Sequence, residues 1–428
     1  MRLPGRLAAA IEVLTAVQAR HRPVSEALRD WGNANRFAGA GDRAAIGNLV
    51  YDALRRRVSH AHAMGSDEPR ALVLSVAVRD WAEDAAALDA GFEGDRFAPD
   101  RLTPEEFARL AVPDPLADAP DWVRADVPEW TAPSLAAAFG DDWIAEAHAL
   151  TARPPVDLRV NTLKSSRDRA LKALARHAPQ PTAISPVGIR IPAGARDART
   201  PNILADEAYL KGWVEVQDEG SQLAALLAGG TPGQQVLDLC AGAGGKTLAI
   251  AAAMDNRGQI FAHDSDRTRL APIYDRLKRA GVRNVQVRPP SPGTLDDLVG
   301  RMDRVVVDAP CTGSGTWRRR PDTKWKLTEA QLAQRVGEQR AILDDAARFV
   351  GPGGMVAYIT CSIFPEENSR QVDDFLRRHP QFTAVDQVPA WNAVTSGSYS
   401  APRAGVGLTL TPRRTGTDGF FVALLQRH

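Results

Sequence analysis

Cysteine is scarce in this sequence, and long apolar runs are absent. The chain of 428 residues has only three cysteines, Cys240, Cys311 and Cys361, and no C-x-x-C pair. This pattern argues against a disulfide framework or a cysteine-based zinc site, so we expect no bound metal. No stretch is apolar over the length that a membrane-spanning helix needs, so we expect no association with a membrane.

The sequence also lacks an excess of charge of either sign. Its 53 Lys and Arg residues and 52 Asp and Glu residues leave a formal net charge of +1. This balance neither indicates nor excludes nucleic acid as a partner, because a basic groove can be offset by acidic surface elsewhere. The first residues begin like a signal peptide, but Glu12 interrupts the apolar region. We therefore predict an amphipathic helix there and a cytoplasmic protein, which we expect to be a monomer.

The pattern along the chain predicts three segments. Residues 1–130 are predicted to form an all-helical domain that ends in a Pro- and Asp-rich, loosely structured connector. Residues 131–215 contain alternating apolar strands around a helical run, which predicts a small α+β module. Residues 216–428 alternate strands with long helices, which predicts an α/β domain with a parallel sheet.

Five strands are predicted in the α/β domain, and four of them end in a reactive or charged residue. The strands are QVLDLC, QIFAHD, VQV, RVVVDAP and MVAYITC, with helices near 246–254, 267–280, 329–350 and 365–378. The residues at the strand ends are Cys240, Asp264, Asp308 and Cys361. Ligands of parallel sheets bind beyond the carboxyl ends of the strands, so we expect these four residues near a ligand.

The stretch DLCAGAGGKT, residues 238–247, resembles a phosphate-binding loop but departs from it at one position. The G-x-x-x-x-G-K-[ST] pattern needs a first glycine where this chain has Cys240, which argues against ATP. Gly242, Gly244 and Gly245 still allow the backbone to approach a ligand closely. Asp264 ends the next strand, where a carboxylate can accept both ribose hydroxyls of a nucleoside. The absence of a full G-x-G-x-x-G pattern suits S-adenosylmethionine, while the loop alone leaves NAD open.

Two further motifs carry a family resemblance. VVVDAPCTGSG (305–315) and YITCSIFPEEN (358–368) each place a cysteine just past a strand. With VQDEGSQL, the glycine loop and TGTDGFFVALL, they resemble the RsmB (Sun) family of RNA cytosine-5 methyltransferases over essentially all of 216–428. The resemblance implies a Rossmann-like class I methyltransferase domain that uses S-adenosylmethionine on RNA. RVNTLK resembles, more weakly, the family's small RNA-binding module, and AGAGDRAAIGNLVYDALRR resembles the NusB-like domain of bacterial members.

The chemistry of cytosine and the resemblance together assign the site residues. Carbon 5 becomes nucleophilic once a thiolate adds to carbon 6, and the resemblance gives that attack to Cys361 and assistance in product release to Cys311. Asp308, in its protonated form, would assist at ring N3, and Lys246 would lie near cofactor and base. DNA cytosine-5 methyltransferases use a Pro-Cys cysteine instead, so a reversed assignment stays open. The expected cofactor-binding residues are Cys240, Ala241, Gly242, Ala243, Gly244, Gly245, Lys246, Asp264 and Asp308.

The helix after Cys361 is expected to begin at Pro365, which would place the thiol near a helix N-terminus and favour its ionisation. One departure from the family concerns adenine. The family commonly has Gly-Asp after the third strand, whereas this chain has VRPPSPG (287–293) without a carboxylate. Adenine must then be recognised in another way.

A basic cluster follows the Cys311 loop directly. It consists of Arg318, Arg319, Arg320 and Lys324 together with Trp317. Cations among aromatic side chains suit a phosphate backbone with unstacked bases, so we predict that the cluster contacts RNA rather than forming ordinary solvated surface. Three functions stay open: a ribosomal RNA methyltransferase, which we favour; a tRNA methyltransferase; and a non-catalytic RNA-binding assembly factor.

Overall fold

The computed structural model describes residues 1–20 and 22–428. They form two compact units. The first comprises Met1–Pro154, Ala193–Pro201 and Trp317–Lys326, and the second comprises Pro155–Pro192, Asn202–Thr316 and Leu327–His428. Within the described part of the chain, no helix combines the length and apolarity required to cross a bilayer.

The first unit is built from helices, as the sequence predicts for its N-terminal part. They are α1 (Leu3–Arg20), α2 (Val24–Ala34), α3 (Ala40–Arg55), α4 (Arg57–Met64), α5 (Pro69–Ser75), α6 (Ala85–Phe92), α7 (Pro104–Leu110), α8 (Asp121–Arg124), α9 (Ala132–Phe139) and α10 (Trp143–Ala149). Apolar residues of α1, α3 and α5 fill the core, including the buried Leu7, Ile46, Leu49 and Leu72. This burial is the main favourable contribution to the fold of the unit.

The connector predicted to be loosely structured contains two of these helices, α7 and α8, so that prediction is wrong. Thr103 and Glu106 form a capping box at the start of α7. The Thr103 hydroxyl accepts from the Glu106 N–H at 3.1 Å, and the Glu106 carboxylate accepts from the Thr103 N–H at 2.9 Å. These two bonds satisfy backbone donors that a helix start otherwise leaves free. Proline at the first helical position of α7 marks a helix start here rather than a loop.

The second unit begins with a small antiparallel sheet. Its strands are β1 (Val156–Val160), β2 (Gln180–Pro181), β3 (Gly188–Ile191) and β4 (Val214–Val216), in the order β2-β3-β1-β4. Two helices, α11 (Arg167–Ala173) and α12 (Glu207–Leu210), accompany it. Leu158 of β1 lies opposite Ile189 on one side and Val216 on the other. The predicted strand–helix–strand module is therefore present.

A large sheet forms the centre of the second unit. Its strands are β5 (Gln235–Asp238), β6 (Gln259–His263), β7 (Val285–Arg288), β8 (Met302–Asp308), β9 (Val350–Thr360), β10 (Phe382–Ala384), β11 (Arg403–Ala404), β12 (Gly407–Leu410) and β13 (Phe420–Arg427). The order is β11-β12-β13-β9-β8-β5-β6-β7, and β10 pairs with β13. The strands β5 to β9 are parallel, as predicted, and β13 adds an antiparallel partner to β9.

Helices connect and follow the strands of this sheet. They are α13 (Glu219–Ala228), α14 (Gly245–Ala253), α15 (Arg267–Leu270), α16 (Ile273–Ala280), α17 (Pro321–Lys326), α18 (Glu329–Phe349), α19 (Ser369–Arg378), α20 (Val388–Thr395) and α21 (Pro412–Thr415). The single helix predicted at 267–280 is two helices, because a break falls at Pro272, which precedes α16.

Helix α17 and the residues before it belong to the first unit, and this bears on the basic cluster. Trp317, Arg318 and Lys324 are buried, which argues against direct contact of these three side chains with RNA. The Lys324 ammonium donates to the main-chain oxygens of Arg55 at 2.9 Å and Asp126 at 2.5 Å. Arg55 is the last residue of α3, where a cation also favours the helix dipole. Arg320 is exposed, and a role for it in RNA binding stays a proposal.

We predict that Lys324→Met destabilises the protein and changes its pH dependence. Two buried carbonyls lose their donor, which costs about 1–3 kcal/mol each. Burial also lowers the pKa of Lys324 to about 8, from an ordinary 10.5. Between these pH values the unfolded chain binds more protons than the folded one, so this lysine makes the unfolding free energy rise as pH increases from about 8 to 10.5.

Chemical denaturation of the parent and of Lys324→Met across this pH range measures both effects. The rise contributed by Lys324 should disappear in the variant. Lys278→Met, which changes an exposed lysine of α16, is the matched control and should keep the parental pH profile. Equal slopes for the parent and Lys324→Met would contradict the buried position of the Lys324 ammonium.

Candidate active site

The glycine loop lies where the sequence predicts it, between β5 and α14. Gly242 and Gly244 have φ of +50° and +82°, in the left-handed region that favours glycine. A Cβ at Gly244 would also lie 2.6 Å from the Cγ1 of Ile273. The loop can therefore take this path only without a side chain at Gly244. Its path brings backbone to the carboxyl end of the sheet, where a ligand can approach it.

Asp264 follows β6 and reaches the glycine loop. Its carboxylate is 2% exposed and accepts from the Gly242 N–H at 2.9 Å and from the Asp266 N–H at 2.9 Å. These bonds hold both oxygens in fixed directions next to the loop. The structure thus brings together the glycine turn and the Asp264 carboxylate, which the sequence analysis predicts to bind a nucleoside.

Asp238, the last residue of β5, is a site residue that the sequence did not single out. Its carboxyl is fully buried, and Oδ2 accepts from the Thr247 hydroxyl at 2.6 Å. The other oxygen, Oδ1, has no hydrogen-bond partner among the described residues. Burial, assisted by the charge of Asp308, raises the pKa of Asp238 to about 7. The bond to Thr247 ties the end of β5 to the first turn of α14.

Lys246 and Asp308 meet at the end of the sheet. The Lys246 ammonium lies 2.6 Å from Oδ2 of Asp308 and 5.3 Å from the ring centre of Phe420. Lys246 is only 6% exposed. The Asp308 side chain is 34% exposed, so water reaches one side of this hydrogen-bonded ion pair. The two residues, predicted separately from the glycine loop and from β8, therefore form one unit.

Cys311 and Cys361 also come together. Their sulfur atoms are 3.3 Å apart, and both thiols are free. They follow β8 and β9, which pair in parallel with Asp308 opposite Ile359. The contact with Cys361, together with burial, raises the pKa of Cys311 well above its ordinary value. Burial likewise raises the pKa of Cys240, which belongs to the glycine loop.

The loop that carries Cys361 is not held by a helix N-terminus. Helix α19 begins at Ser369, and Pro365 lies in the preceding turn, so the prediction that Pro365 begins the helix is wrong. Side chains hold the loop instead. The hydroxyls of Ser314 and Ser362 are 3.0 Å apart, and the Ser314 hydroxyl accepts from the Ile363 N–H at 2.9 Å. These serines connect the Cys311 and Cys361 loops.

Among the described residues, no group of three or more His, Cys, Asp or Glu side chains is arranged to hold a metal ion. The site offers instead a glycine cradle with a fixed carboxylate, a lysine–aspartate pair and two adjacent thiols. These groups lie at the carboxyl ends of the parallel strands. A parallel sheet with such a site at this edge is the architecture of a Rossmann-like methyltransferase domain.

Comparison with known proteins gives the family. Residues 225–426 match the profile described as 16S rRNA methyltransferase RsmB/F, and residues 127–196 match the ferredoxin-like domain of RsmF/B-like methyltransferases. Ribosomal RNA small subunit methyltransferase B of Sodalis glossinidius is 36% identical over 321 residues, which are 72% of this chain and 67% of the relative. The chain belongs to the RsmB/F methyltransferase family.

Two further similarities agree with this family. Ribosomal RNA small subunit methyltransferase B of Erwinia tasmaniensis is 33% identical over 304 residues, 70% of this chain. The match covers 66% of that relative, so the chain spans about two thirds of its length. A crystal structure of a methyltransferase homologue from Pyrococcus horikoshii is 27% identical with a TM-score of 0.58, covering 72% of this chain and 98% of that chain.

We predict that Gly244→Ala lowers the thermal stability of the protein. The left-handed φ and the close approach to Ile273 both oppose a side chain, with a cost of roughly 1–3 kcal/mol. Gly337→Ala is the matched control, because Gly337 lies inside α18 with open space where a Cβ would be. There alanine should stabilise the helix by about 0.5–1 kcal/mol. Thermal melts in which both variants shift in the same direction would contradict the described loop geometry.

Proposed function

We propose that the protein transfers a methyl group from S-adenosylmethionine to carbon 5 of a cytosine in ribosomal RNA of the small subunit. The observation that carries the proposal is the pair of free thiols 3.3 Å apart, at the ends of neighbouring parallel strands. Two adjacent thiols suit a reaction that forms and then breaks a sulfur–carbon bond. The names of the relatives, ribosomal RNA small subunit methyltransferase B, support the choice of RNA.

The residues of the glycine loop fit the cofactor. When bound, S-adenosylmethionine supplies an electrophilic methyl group. The backbone of Gly242 to Gly245 would lie along it, and Asp264 would accept its ribose hydroxyls. Gly242 has a φ of +50°, which favours glycine, and its N–H donates to Oδ2 of Asp264 at 2.9 Å, so the loop backbone lies directly beside that carboxylate. Cys240 packs in the loop as a thiol and has no part in the chemistry. Recognition of adenine falls to other groups, since no carboxylate follows β7.

The attack on the base is assigned to Cys361. Its sulfur forms a bond to carbon 6, and ring electrons move towards N3. Lys246 and Asp308 form a charged pair at the same edge of the sheet, and the lysine ammonium would supply the proton or hydrogen bond that N3 then requires. Because Asp308 accepts from Lys246, we assign the donor role to the pair rather than to a protonated Asp308 alone.

Release of the product reverses the addition. Once carbon 5 carries the methyl group, any proton taken up by N3 returns to Lys246, water takes the carbon 5 proton, the C5–C6 double bond forms and the sulfur–carbon bond breaks. The electron pair of that bond returns to the sulfur of Cys361. The Cys311 thiol lies in hydrogen-bond reach of this sulfur, and its raised pKa keeps the proton that stabilises the departing thiolate. Cys311 therefore assists release and does not attack.

The roles of the two cysteines can be distinguished with alanine variants that are incubated with S-adenosylmethionine and RNA. Cys361→Ala forms no bond to carbon 6, so it should neither methylate RNA nor attach to it. Cys311→Ala should still attack, but its adduct should persist and migrate as a slow protein–RNA species on a denaturing gel. Bisulfite sequencing of small-subunit ribosomal RNA and of tRNA from the same reactions reports where 5-methylcytosine forms.

Three results would contradict the proposal in different ways. Trapping in Cys361→Ala and none in Cys311→Ala would give the nucleophile role to Cys311. Full activity of both variants would remove both cysteines from the mechanism. Methylation of tRNA without methylation of ribosomal RNA would keep the chemistry and overturn the substrate.

A further inference from the structure

Glu367 is a buried carboxylate that has no ion-pair partner among the described residues. Its side chain is fully buried in the turn that follows Cys361. None of the Lys, Arg or His side chains in the described ranges 1–20 and 22–428 forms an ion pair with it. Burying an unpaired carboxylate is costly unless hydrogen bonds satisfy both oxygens. The donors of those bonds therefore show which part of the fold depends on Glu367.

The donors come from the Cys311 loop and from α18. Oε1 accepts from the Thr312 N–H at 2.8 Å and from the Gln339 amide at 2.9 Å, and Oε2 accepts from the Thr312 hydroxyl at 2.5 Å. The same Gln339 amide donates to the Pro310 oxygen at 3.0 Å. The residues immediately before and after Cys311 are thus both tied to Glu367, one through Gln339 and the other directly.

The backbone of Glu367 is fixed in turn to the strand that carries Cys361. Its carbonyl oxygen accepts from the buried Tyr358 hydroxyl of β9 at 2.6 Å. The next residue, Asn368, accepts from the Thr360 hydroxyl at 2.6 Å and donates to the Ser362 oxygen at 2.9 Å. Glu367 therefore adds side-chain hydrogen bonds between two loops that the pairing of β8 with β9 already brings side by side.

We propose that Glu367 is a positioning residue for the cysteine pair, holding the Cys311 loop so that the two sulfur atoms stay in contact. It touches neither RNA nor cofactor and acts through Cys311. The part of the proposal that concerns product release rests on the proposed function, whereas the effect on the Cys311 thiol does not.

The charge of Glu367 adds an electrostatic effect to this positioning. The pKa of Cys311 is raised by its hydrogen bond to Cys361, by burial, and further by the charges of Cys361 and Glu367. Tyr358, Cys240 and the Lys246–Asp308 pair are further titratable groups of this site, and burial raises the pKa of Tyr358 and of Cys240. Replacing the carboxylate by an amide should therefore lower the pKa of the Cys311 thiol. A residue with only a structural role would not move this pKa by a change of charge.

The test is the pH dependence of alkylation of Cys311 by iodoacetamide in full-length protein with both cysteines present, read by mass spectrometry of the peptide that contains Cys311. Glu367→Gln should move the midpoint of the alkylation rate to lower pH, because it removes a buried negative charge beside the thiol. Glu366→Gln is the matched control, because it removes a neighbouring carboxylate that pairs with Arg370 at 2.7 Å. Its midpoint should equal that of the parent protein.

An unchanged midpoint in folded Glu367→Gln would overturn the proposal. If circular dichroism shows that this variant does not fold, Thr312→Val and Thr312→Ser carry the test. Valine keeps the shape of threonine but removes the hydroxyl that Glu367 accepts from, so Cys311 should be alkylated several-fold faster at fixed pH. Serine keeps the hydroxyl and should keep the slower rate, and equal rates in the two variants would overturn the proposal.

Alkylation requires neither RNA nor S-adenosylmethionine. If the protein had no methyltransferase activity, the proposed function would be refuted. The alkylation assay would still test the role of Glu367. Conversely, an active enzyme whose Cys311 ignores Glu367→Gln would refute this assignment alone.

Discussion

The contact between the sulfur atoms of Cys311 and Cys361 depends on the parallel pairing of β8 with β9. In parallel neighbours the carboxyl ends fall at the same edge, so the loops that follow them start side by side. Asp308 lies opposite Ile359, which places Cys311 three residues past one strand end and Cys361 one residue past the other. A change of register by one residue would turn the side chains of β9 to the other face and separate the thiols.

The charged groups around the two thiols are unevenly distributed. Glu367 is hydrogen-bonded to Thr312, the residue after Cys311. Burial and the charge of Glu367 both raise the pKa of the Cys311 thiol. Lys246 is the ammonium paired with Asp308, while Asp238 and Asp264 lie at the glycine loop. Carboxylates around this loop favour binding of a positively charged sulfonium. The Lys246 ammonium would stabilise negative charge that develops on a base. The arrangement suits methyl transfer from a cation to a ring activated by a thiolate.

Much of the fold and part of the site follow from local sequence signals. The parallel strands, the glycine turn and the strand-end positions of Asp264, Asp308 and both cysteines were predictable because each depends on spacing along a few residues. The burial of Lys324 was not, since Arg-Arg-Pro-Asp-Thr-Lys has the composition of an exposed basic surface, and only the tertiary contact with Arg55 and Asp126 buries it. Glu367 escaped notice because its partners Thr312 and Gln339 lie 55 and 28 residues away. Long-range polar contacts of this kind leave no periodic pattern in a sequence.

The central claim is that Cys361 forms the bond to the base. RNA containing 5-fluorocytosine tests it directly, because fluorine cannot leave carbon 5 as a proton does, and the adduct should therefore survive digestion. Mass spectrometry of the wild-type protein incubated with this RNA and S-adenosylmethionine identifies the linked peptide. We expect the methylated fluorocytosine on the peptide that contains Cys361. A link to the peptide that contains Cys311, or RNA methylation without any link, would contradict the account.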